Sequence, residues 1–417
     1  MIQIPPCHCA AVLNLLTFVL ILDTCSLILI NLTFLTLPTH KIQMVDLFSQ
    51  YQRIKPEVDA AIQQVIDRSA FIKGDEVLRL EAQLSSYCKC RQVISCANGT
   101  DALQIALMAL ELNPEDEIII PAFTYVATAE VIALLGLTPV MVDVDPFTFN
   151  CSVSELEKAI TPKTKAIIPV HLFGQAAPME AIMQLANKYN LWVIEDNAQA
   201  LGAEVIFQDG IIHKAGTIGH LGCTSFFPTK NLGCFGDGGA IQTNDEALAG
   251  KIRMIANHGQ KIKYQHSLIG CNSRLDTIQA AILEVKLKQL DQYIQARQKA
   301  AGFYTLRLQN CNSIQLPAQS TNTPHTFNQY TLQVNDGKRD ELKKYLTEKG
   351  IPSIIYYPTP LYRQEAFSKY APKGFSLKHT EQLCQSVLSI PMHTELTEEI
   401  QEYIVEAIIQ FDNRVTK

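Results

Sequence analysis

Lys230 stands in the stretch Ser225-Phe226-Phe227-Pro228-Thr229-Lys230-Asn231-Leu232-Gly233. Aromatic, proline and glycine neighbours strip water from an ammonium group, which disfavours its charge and lowers its pKa toward a nucleophilic amine. Such an amine forms Schiff bases with carbonyl compounds; a lysine taken alone is more often a solvated surface group. Two other stretches bear on the choice. Ala97-Asn98-Gly99-Thr100-Asp101 lies between a β-branched run and an apolar helical pattern. There the amides of the first helical turn and the Thr100 hydroxyl make either an anion site or an ordinary N-cap. Glu195-Asp196-Asn197-Ala198-Gln199 follows the apolar run Leu191–Ile194. A carboxylate at the tip of a buried strand needs a cation or donor, supplied by a protonated heterocyclic nitrogen or by the amides of a following helix. Together, an anion cradle, a strand-end carboxylate and a buried lysine are what pyridoxal phosphate requires: a phosphate site, a partner for the pyridine nitrogen and an amine for the aldehyde. Tyr125, in Ala122-Phe123-Thr124-Tyr125-Val126-Ala127-Thr128, has the ring to stack on such a cofactor or to pack in the core.

Other chemistries lose their support. No GxxxxGK[ST] occurs, and the glycines of 216–222 and 233–239 are not spaced as GxGxxG after a strand, so neither a P-loop nor a dinucleotide fold is indicated. The twelve cysteines form no CxxC pair, which leaves no zinc or redox motif and no metal expectation. Scattered thiols in a long chain read as reduced and cytoplasmic. With 35 Lys+Arg against 41 Asp+Glu, a net charge of -6 and no basic run, nothing attracts a nucleic-acid backbone.

The elements that must position these residues follow from hydrophobic periodicity. Gln50–Tyr87 reads as helical, broken at residues 71–74. Strand-like runs at Gln92–Cys96, Glu117–Pro121, Pro139–Val144, Ala166–Val170 and Leu191–Glu195 then alternate with helical runs at Asp101–Leu112, Thr128–Leu135, Ser154–Ile160 and Met179–Tyr189. Such alternation predicts an α/β fold with a mainly parallel sheet covered on both faces, and ligands at the carboxyl ends of its strands. Beyond Gly270, Leu275–Gln298 reads as one long helix. Phe327–Val334 and Ser353–Tyr357 read as strands, and Lys338–Lys349 and Glu398–Phe411 as helices of a smaller α+β domain. The expected division is an apolar extension over 1–43, a large domain over 44–285 and a small one over 286–417. Ala10–Leu37 is long and apolar enough to span a bilayer. Asp23 in its middle and the lack of a preceding cation argue against that. Three readings stand: an extension upstream of a soluble chain starting near Met44, an anchor, or a cleaved signal.

The segments CANGTDALQIALMAL, PAFTYVATAEVIALLGLTPVMVDVDP, VIEDNAQALGA, TSFFPTKNLGCFGDGGAI, IANHGQ and GCNSRLDTIQAAIL resemble the sugar-nucleotide aminotransferases of the DegT/DnrJ/EryC1/StrS family, from about Met44 to the C-terminus. The resemblance implies the aspartate-aminotransferase-like fold (pyridoxal-phosphate fold type I), pyridoxal 5'-phosphate as cofactor and a homodimer with composite active sites. Carried over motif by motif, it implies that Lys230 binds the cofactor as a Schiff base and Asp196 meets the pyridine nitrogen. Gln199 would lie near the phenolic oxygen, Tyr125 on the ring, and Gly99, Thr100 and Ser225 at the phosphate. Asn272 would reach the phosphate of the neighbouring subunit's cofactor, and Arg274 matches a position linked with substrate binding. The expected reaction moves an amino group from an amino acid, L-glutamate by preference, to C3 of a UDP-linked 3-keto-N-acetylglucosaminuronate destined for surface polysaccharide. Relatives acting on 4-keto-6-deoxy sugars share most of these motifs. The family's dehydratases carry His at the lysine position, so Lys230 argues against that activity. A non-catalytic regulatory or membrane-tethered protein finds support only in the apolar N-terminus.

Overall fold

The computed structural model describes residues 41–415; the apolar stretch Ala10–Leu37 lies outside them. A seven-stranded sheet carries the fold. Its strands, in chain order, are β1 (Gln92–Cys96), β2 (Glu117–Pro121), β3 (Thr138–Val142), β4 (Thr164–Ile167), β5 (Trp192–Asp196), β6 (Leu221–Ser225) and β7 (Gly239–Thr243). Across the sheet they run β1-β7-β6-β5-β4-β2-β3. The pairs β2–β3, β2–β4, β4–β5 and β5–β6 are parallel; β7 alone is reversed, lying antiparallel to both β1 and β6.

Continuous apolar runs such as Glu117-Ile118-Ile119-Ile120-Pro121 form these strands because both faces are covered. Ile118 and Ile120 enter one core with Leu103, Ile105 and Leu107, while Ile119, one residue out of phase, joins Ile167, Ile182 and Leu185 in the other. All of these but Leu185 are at most 2% exposed. The apolar helices that predict this packing are α3 (Gly99–Ala109) and α4 (Ala127–Leu134); α1 (Leu47–Arg68) and α2 (Asp75–Cys88) precede the sheet, with the expected break between them.

The structure corrects the reading of the second half. Leu275–Gln298 is not one helix but two, α5 (Thr277–Leu287) and α6 (Leu290–Leu308), with a turn at Lys288-Gln289 where Gln289 N–H bonds back to Lys286. Ser353–Tyr357 is not a strand. It makes one isolated bridge, Ile354 to Ser389, beside a three-stranded antiparallel sheet of β8 (Ile314–Gln315), β9 (Tyr330–Val334) and β10 (Val387–Ile390). Among the described residues no helix is long and apolar enough to cross a membrane.

Candidate active site

Seven of the nine residues singled out in the sequence converge on one cavity of about 830 Å³: Gly99, Thr100, Tyr125, Asp196, Gln199, Ser225 and Lys230. The cavity opens at the carboxyl ends of β1, β2, β5 and β6, where a parallel sheet of this kind gathers ligands.

Lys230 sits in the connection from β6 to β7. The connection is a tight turn: Lys230 N–H donates to Phe227 O at 2.9 Å and Cys234 N–H to Phe226 O at 2.9 Å. Gly233 is required there, since a Cβ would fall 2.3 Å from Pro228 O. Burial pulls the Lys230 amine down from 10.5 to about 8, and the nearby Asp196 carboxylate opposes that shift without cancelling it.

Asp196 ends β5 and is 5% exposed. Its Oδ2 accepts from Thr128 Oγ1 at 2.8 Å and its Oδ1 from Ala198 N–H at 3.2 Å. Burial raises its pKa, an effect the two donors and Lys230 only partly offset, so this carboxylate is short of positive charge. Its neighbour Glu195 faces the other side of the strand and is fully satisfied. Glu195 accepts from Gly216 N–H (2.8 Å), Ile218 N–H (2.7 Å), Gly219 N–H (2.6 Å) and His171 Nε2–H (2.8 Å). His171 Nδ1 accepts from Ala177 N–H at 3.1 Å, which fixes the tautomer with the proton on Nε2. The His171 backbone N–H in turn holds Asp196 O at 3.0 Å.

The anion cradle is a close approach of two backbones. Asn98 caps α3 by accepting Asp101 N–H at 2.8 Å, while the N–H groups of Gly99 and Thr100 find no acceptor among the described residues. A Cβ on Gly99 would lie 2.6 Å from Ser225 Cβ, and one on Gly239 would lie 2.4 Å from Asn98 O. The helix N-terminus and the Ser225 hydroxyl thereby face one point, suited to a phosphate. Gln199 bridges the floor and the irregular segment Ser353–Tyr357: its Oε1 accepts Phe173 N–H at 2.7 Å and its Nε2 donates to Tyr357 OH at 3.3 Å. Tyr125 is 56% exposed toward the cavity, its ring 6.3 Å from that of Tyr357. The donor set therefore fits pyridoxal phosphate at all three of its anchoring points. Among the described residues no His, Cys, Asp and Glu cluster suits a metal.

Asn272 and Arg274 do not line this cavity. Asn272 bridges to Asn257, and Arg274 lines a separate hollow of about 350 Å³ with Lys73 and Arg253. Sequence reasoning missed Thr128, the residues Asn328, Gln329, Tyr356 and Tyr357 that bring the second sheet's side of the chain to the cavity, and the His171 support beneath β5. A threonine three residues after Tyr125 was visible as a helix start and nothing more. The Tyr356-Tyr357 pair was hidden in an assumed strand.

A mixed α/β sheet with a buried lysine, a strand-end carboxylate and a phosphate cradle at its carboxyl edge defines a pyridoxal-phosphate enzyme of fold type I. The chain belongs to the DegT/DnrJ/EryC1/StrS aminotransferase family, whose profile matches residues 52–409. It is 46% identical over 375 residues to a pleiotropic regulatory protein of Geobacillus stearothermophilus, covering 89% of this chain and 98% of that one. It is 46% identical over 355 residues to the UDP-2-acetamido-2-deoxy-3-oxo-D-glucuronate aminotransferase of Pseudomonas aeruginosa (85% and 96% covered). It is 44% identical over 358 residues to a UDP-N-acetyl-3-dehydro-alpha-D-glucosamine 3-aminotransferase of Acidithiobacillus ferrooxidans (86% and 94% covered). Among solved structures, a DegT/DnrJ/EryC1/StrS aminotransferase from Brucella abortus superposes with a TM-score of 0.84 at 41% identity, covering 89% of this chain and 99% of that one. The protein is an aminotransferase, and its family works with pyridoxal phosphate.

Proposed function

We propose that this enzyme transfers an amino group from L-glutamate to C3 of a UDP-linked 3-keto-2-acetamido sugar, in the form of its uronate, for surface polysaccharide. The convergence of Lys230, Asp196 and the Gly99–Thr100–Ser225 cradle on one cavity carries the reaction class. Identity of 46% and 44% to two aminotransferases of UDP-3-keto-acetamido sugars supports the substrate.

When bound, pyridoxal phosphate supplies an electron sink for the carbanion formed at the amino-acid carbon. The free amides of Gly99 and Thr100 and the Ser225 hydroxyl hold its phosphate. Asp196, short of positive charge in the protein alone, keeps a proton on the pyridine nitrogen, because the ion pair relieves the cost of burying that carboxylate. Tyr125 covers one face of the ring, and Gln199, fixed by Phe173 and Tyr357, addresses the phenolic oxygen. Lys230 anchors the cofactor's aldehyde. With the cofactor bound, the Lys230 amine would be the group placed to carry a proton at the reacting carbon, since an amine with a pKa near 8 can both take and return a proton near neutral pH. Asn272 and Arg274, which stand away from their own chain's cavity, serve the site of a second subunit in a homodimer in the cytoplasm.

The test is an amination assay with glutamate against a panel: UDP-3-keto-N-acetylglucosaminuronate, the same sugar without the C6 carboxylate, and dTDP-4-keto-6-deoxy sugars. Turnover on the uronate at least tenfold above the others supports the proposal. Preference for the non-uronate corrects only the C6 assignment, and turnover on dTDP sugars alone refutes the UDP reading.

A further inference from the structure

A buried cation that the proposed chemistry does not use lies behind Lys230. Lys286, in α5, is 2% exposed and meets no carboxylate among the described residues. Its Nζ donates to the carbonyl of Gly233, and the centre of the Phe235 ring lies 5.7 Å away. Burial pulls its pKa down from 10.5 to about 8, as it does for Lys230, although Lys286 does not line the cavity. An ammonium held without a counter-ion in an apolar interior is costly. A leucine or methionine would fill the same space without that cost, so packing alone does not account for a lysine there.

Lys286 is the last of three residues on one face of α5 that grip the segment bearing Lys230. Gln279, Leu283 and Lys286 are spaced four and three apart, which aligns them along a single helical stripe. Gln279 Oε1 accepts Phe235 N–H at 2.8 Å and its Nε2 donates to Phe235 O at 3.3 Å. Leu283 packs in one cluster with Phe226, Leu232 and Cys234. Lys286 takes the Gly233 carbonyl. A second grip comes from Asn231, whose Nδ2 donates to Thr326 Oγ1 at 3.0 Å and to Leu201 O at 3.3 Å. The turn passes these constraints to the amine. Lys230 lies between Pro228 and Gly233, which are in backbone contact, since a Cβ on Gly233 would fall 2.3 Å from Pro228 O. Lys230 N–H is tied to Phe227 O at 2.9 Å. A displaced Gly233 carbonyl therefore carries the whole turn with it, and a shift of about 1 Å at a reacting group can cost about a hundredfold in rate.

We propose that Lys286 is a positioning residue for Lys230: by holding the Gly233 carbonyl against α5, it fixes the turn that aims the Lys230 amine at the cofactor aldehyde and the reacting carbon. The inference rests on Lys230 as the reactive amine and is independent of which sugar is aminated. The charge that acts on Lys230 is that of Asp196, so Lys286 works through geometry and leaves the amine's pKa alone.

That separation gives the test its signature. Cofactor-free wild type, Lys286→Met, Gln279→Leu and Lys230→Ala are mixed with pyridoxal phosphate over a range of pH spanning the break near 8, and uptake is followed by absorbance. Lys286→Met keeps most of the apolar stem and deletes the donor. Its uptake rate is expected to reach a plateau about tenfold or more below wild type, with the break still near pH 8. In single turnovers with glutamate the saturating rate should fall by a similar factor, while the glutamate concentration giving half of it stays within about twofold. Melting temperature should change little, since removal of an uncompensated ammonium offsets the lost hydrogen bond. Gln279→Leu, which releases Phe235 from the same helix face, should lower the plateau in the same way, and it carries the test if Lys286→Met does not fold. A plateau and saturating rate within about twofold of wild type in both variants, whatever the melting temperature does, overturns the inference. A break moved to another pH with an unchanged plateau overturns it too, because the lysine would then act through charge. Both results leave the proposed function standing. The same pH-dependent absorbance change in Lys230→Ala takes the reactive amine away from Lys230 and overturns both.

Discussion

An amine attacks a carbonyl only after it has lost its proton, so the lowered pKa of Lys230 sets when this protein can take up its cofactor. With that pKa near 8 rather than 10.5, the free-amine fraction rises about tenfold per pH unit below 8 and levels off above it. The rate at which cofactor-free protein binds pyridoxal phosphate, followed by its absorbance, is expected to rise with unit slope up to about pH 8 and then flatten. A break above pH 10 would mean that burial does not act on the amine as described. Lys230→Ala should lose turnover by about 10²–10⁴-fold or more while its melting temperature stays the same or rises, because a poorly solvated charge is removed. Thr128 tests the partner of Asp196. Thr128→Val keeps the shape and deletes the 2.8 Å donor, at a cost of about 1–3 kcal/mol in carboxylate orientation. That corresponds to a fall of about fivefold to 150-fold in kcat/KM, which Thr128→Ser should largely reverse.

Elements earn their place by how little room they leave. Where β6, β7 and the start of α3 meet, a methyl group on Gly99 would overlap Ser225 Cβ. Gly99→Ala should therefore fold but bind pyridoxal phosphate at least tenfold more weakly, measured as cofactor retained through dialysis. Beneath β5, Glu195→Gln places an amide where four donors converge. Thermal unfolding of that variant should come several degrees lower, as expected for about 1–3 kcal/mol lost at a buried carboxylate. Strands β1 to β5 were readable because each carries a short apolar run between turn residues, the carboxylate and cradle because each ends or follows such a run, and the lysine from its aromatic, proline and glycine neighbours. The strands β6 and β7 were not. Leu221-Gly222-Cys223-Thr224-Ser225 and Gly239-Ala240-Ile241-Gln242-Thr243 are small or polar residues in a glycine-rich stretch. Their strand character comes from pairing with β5 and β1, which no local pattern announces. The break at Lys288-Gln289 was hidden in the same way, since no Gly or Pro marks it. Asn328 and Tyr357 reach the site by long-range contact, and nothing in their own neighbourhood in sequence could say so.

At the level of the whole molecule, two variants damaged in different residues can report where Arg274 works. If Arg274 serves the partner's Lys230, a heterodimer of Lys230→Ala and Arg274→Ala subunits has one doubly damaged and one intact site. Isolated from differently tagged chains, it should recover about half of wild-type turnover, provided Arg274→Ala alone is impaired; turnover no better than that of the two parent proteins places the arginine in its own subunit's site. The N-terminal boundary also matters. Ile42 is 5% exposed and Met44 O accepts Met392 N–H at 3.2 Å, so a chain starting at residue 44 should be about 2 kcal/mol less stable than one starting at 41, through loss of the isoleucine, as read by thermal unfolding. The two sides of the cavity have different prospects for change. On the cofactor side, the chain approaches so closely at Gly99, Gly233 and Gly239 that an added side chain must displace its neighbours, whereas Thr124, Asn328 and Tyr356 line the same cavity with side chains. A saturation library over the glycines should return almost only wild type. One over Thr124, Asn328 and Tyr356 should yield folded, cofactor-loaded enzymes with altered sugar preference, so new specificities in this scaffold are to be sought by redrawing one side of the cavity and leaving the other alone.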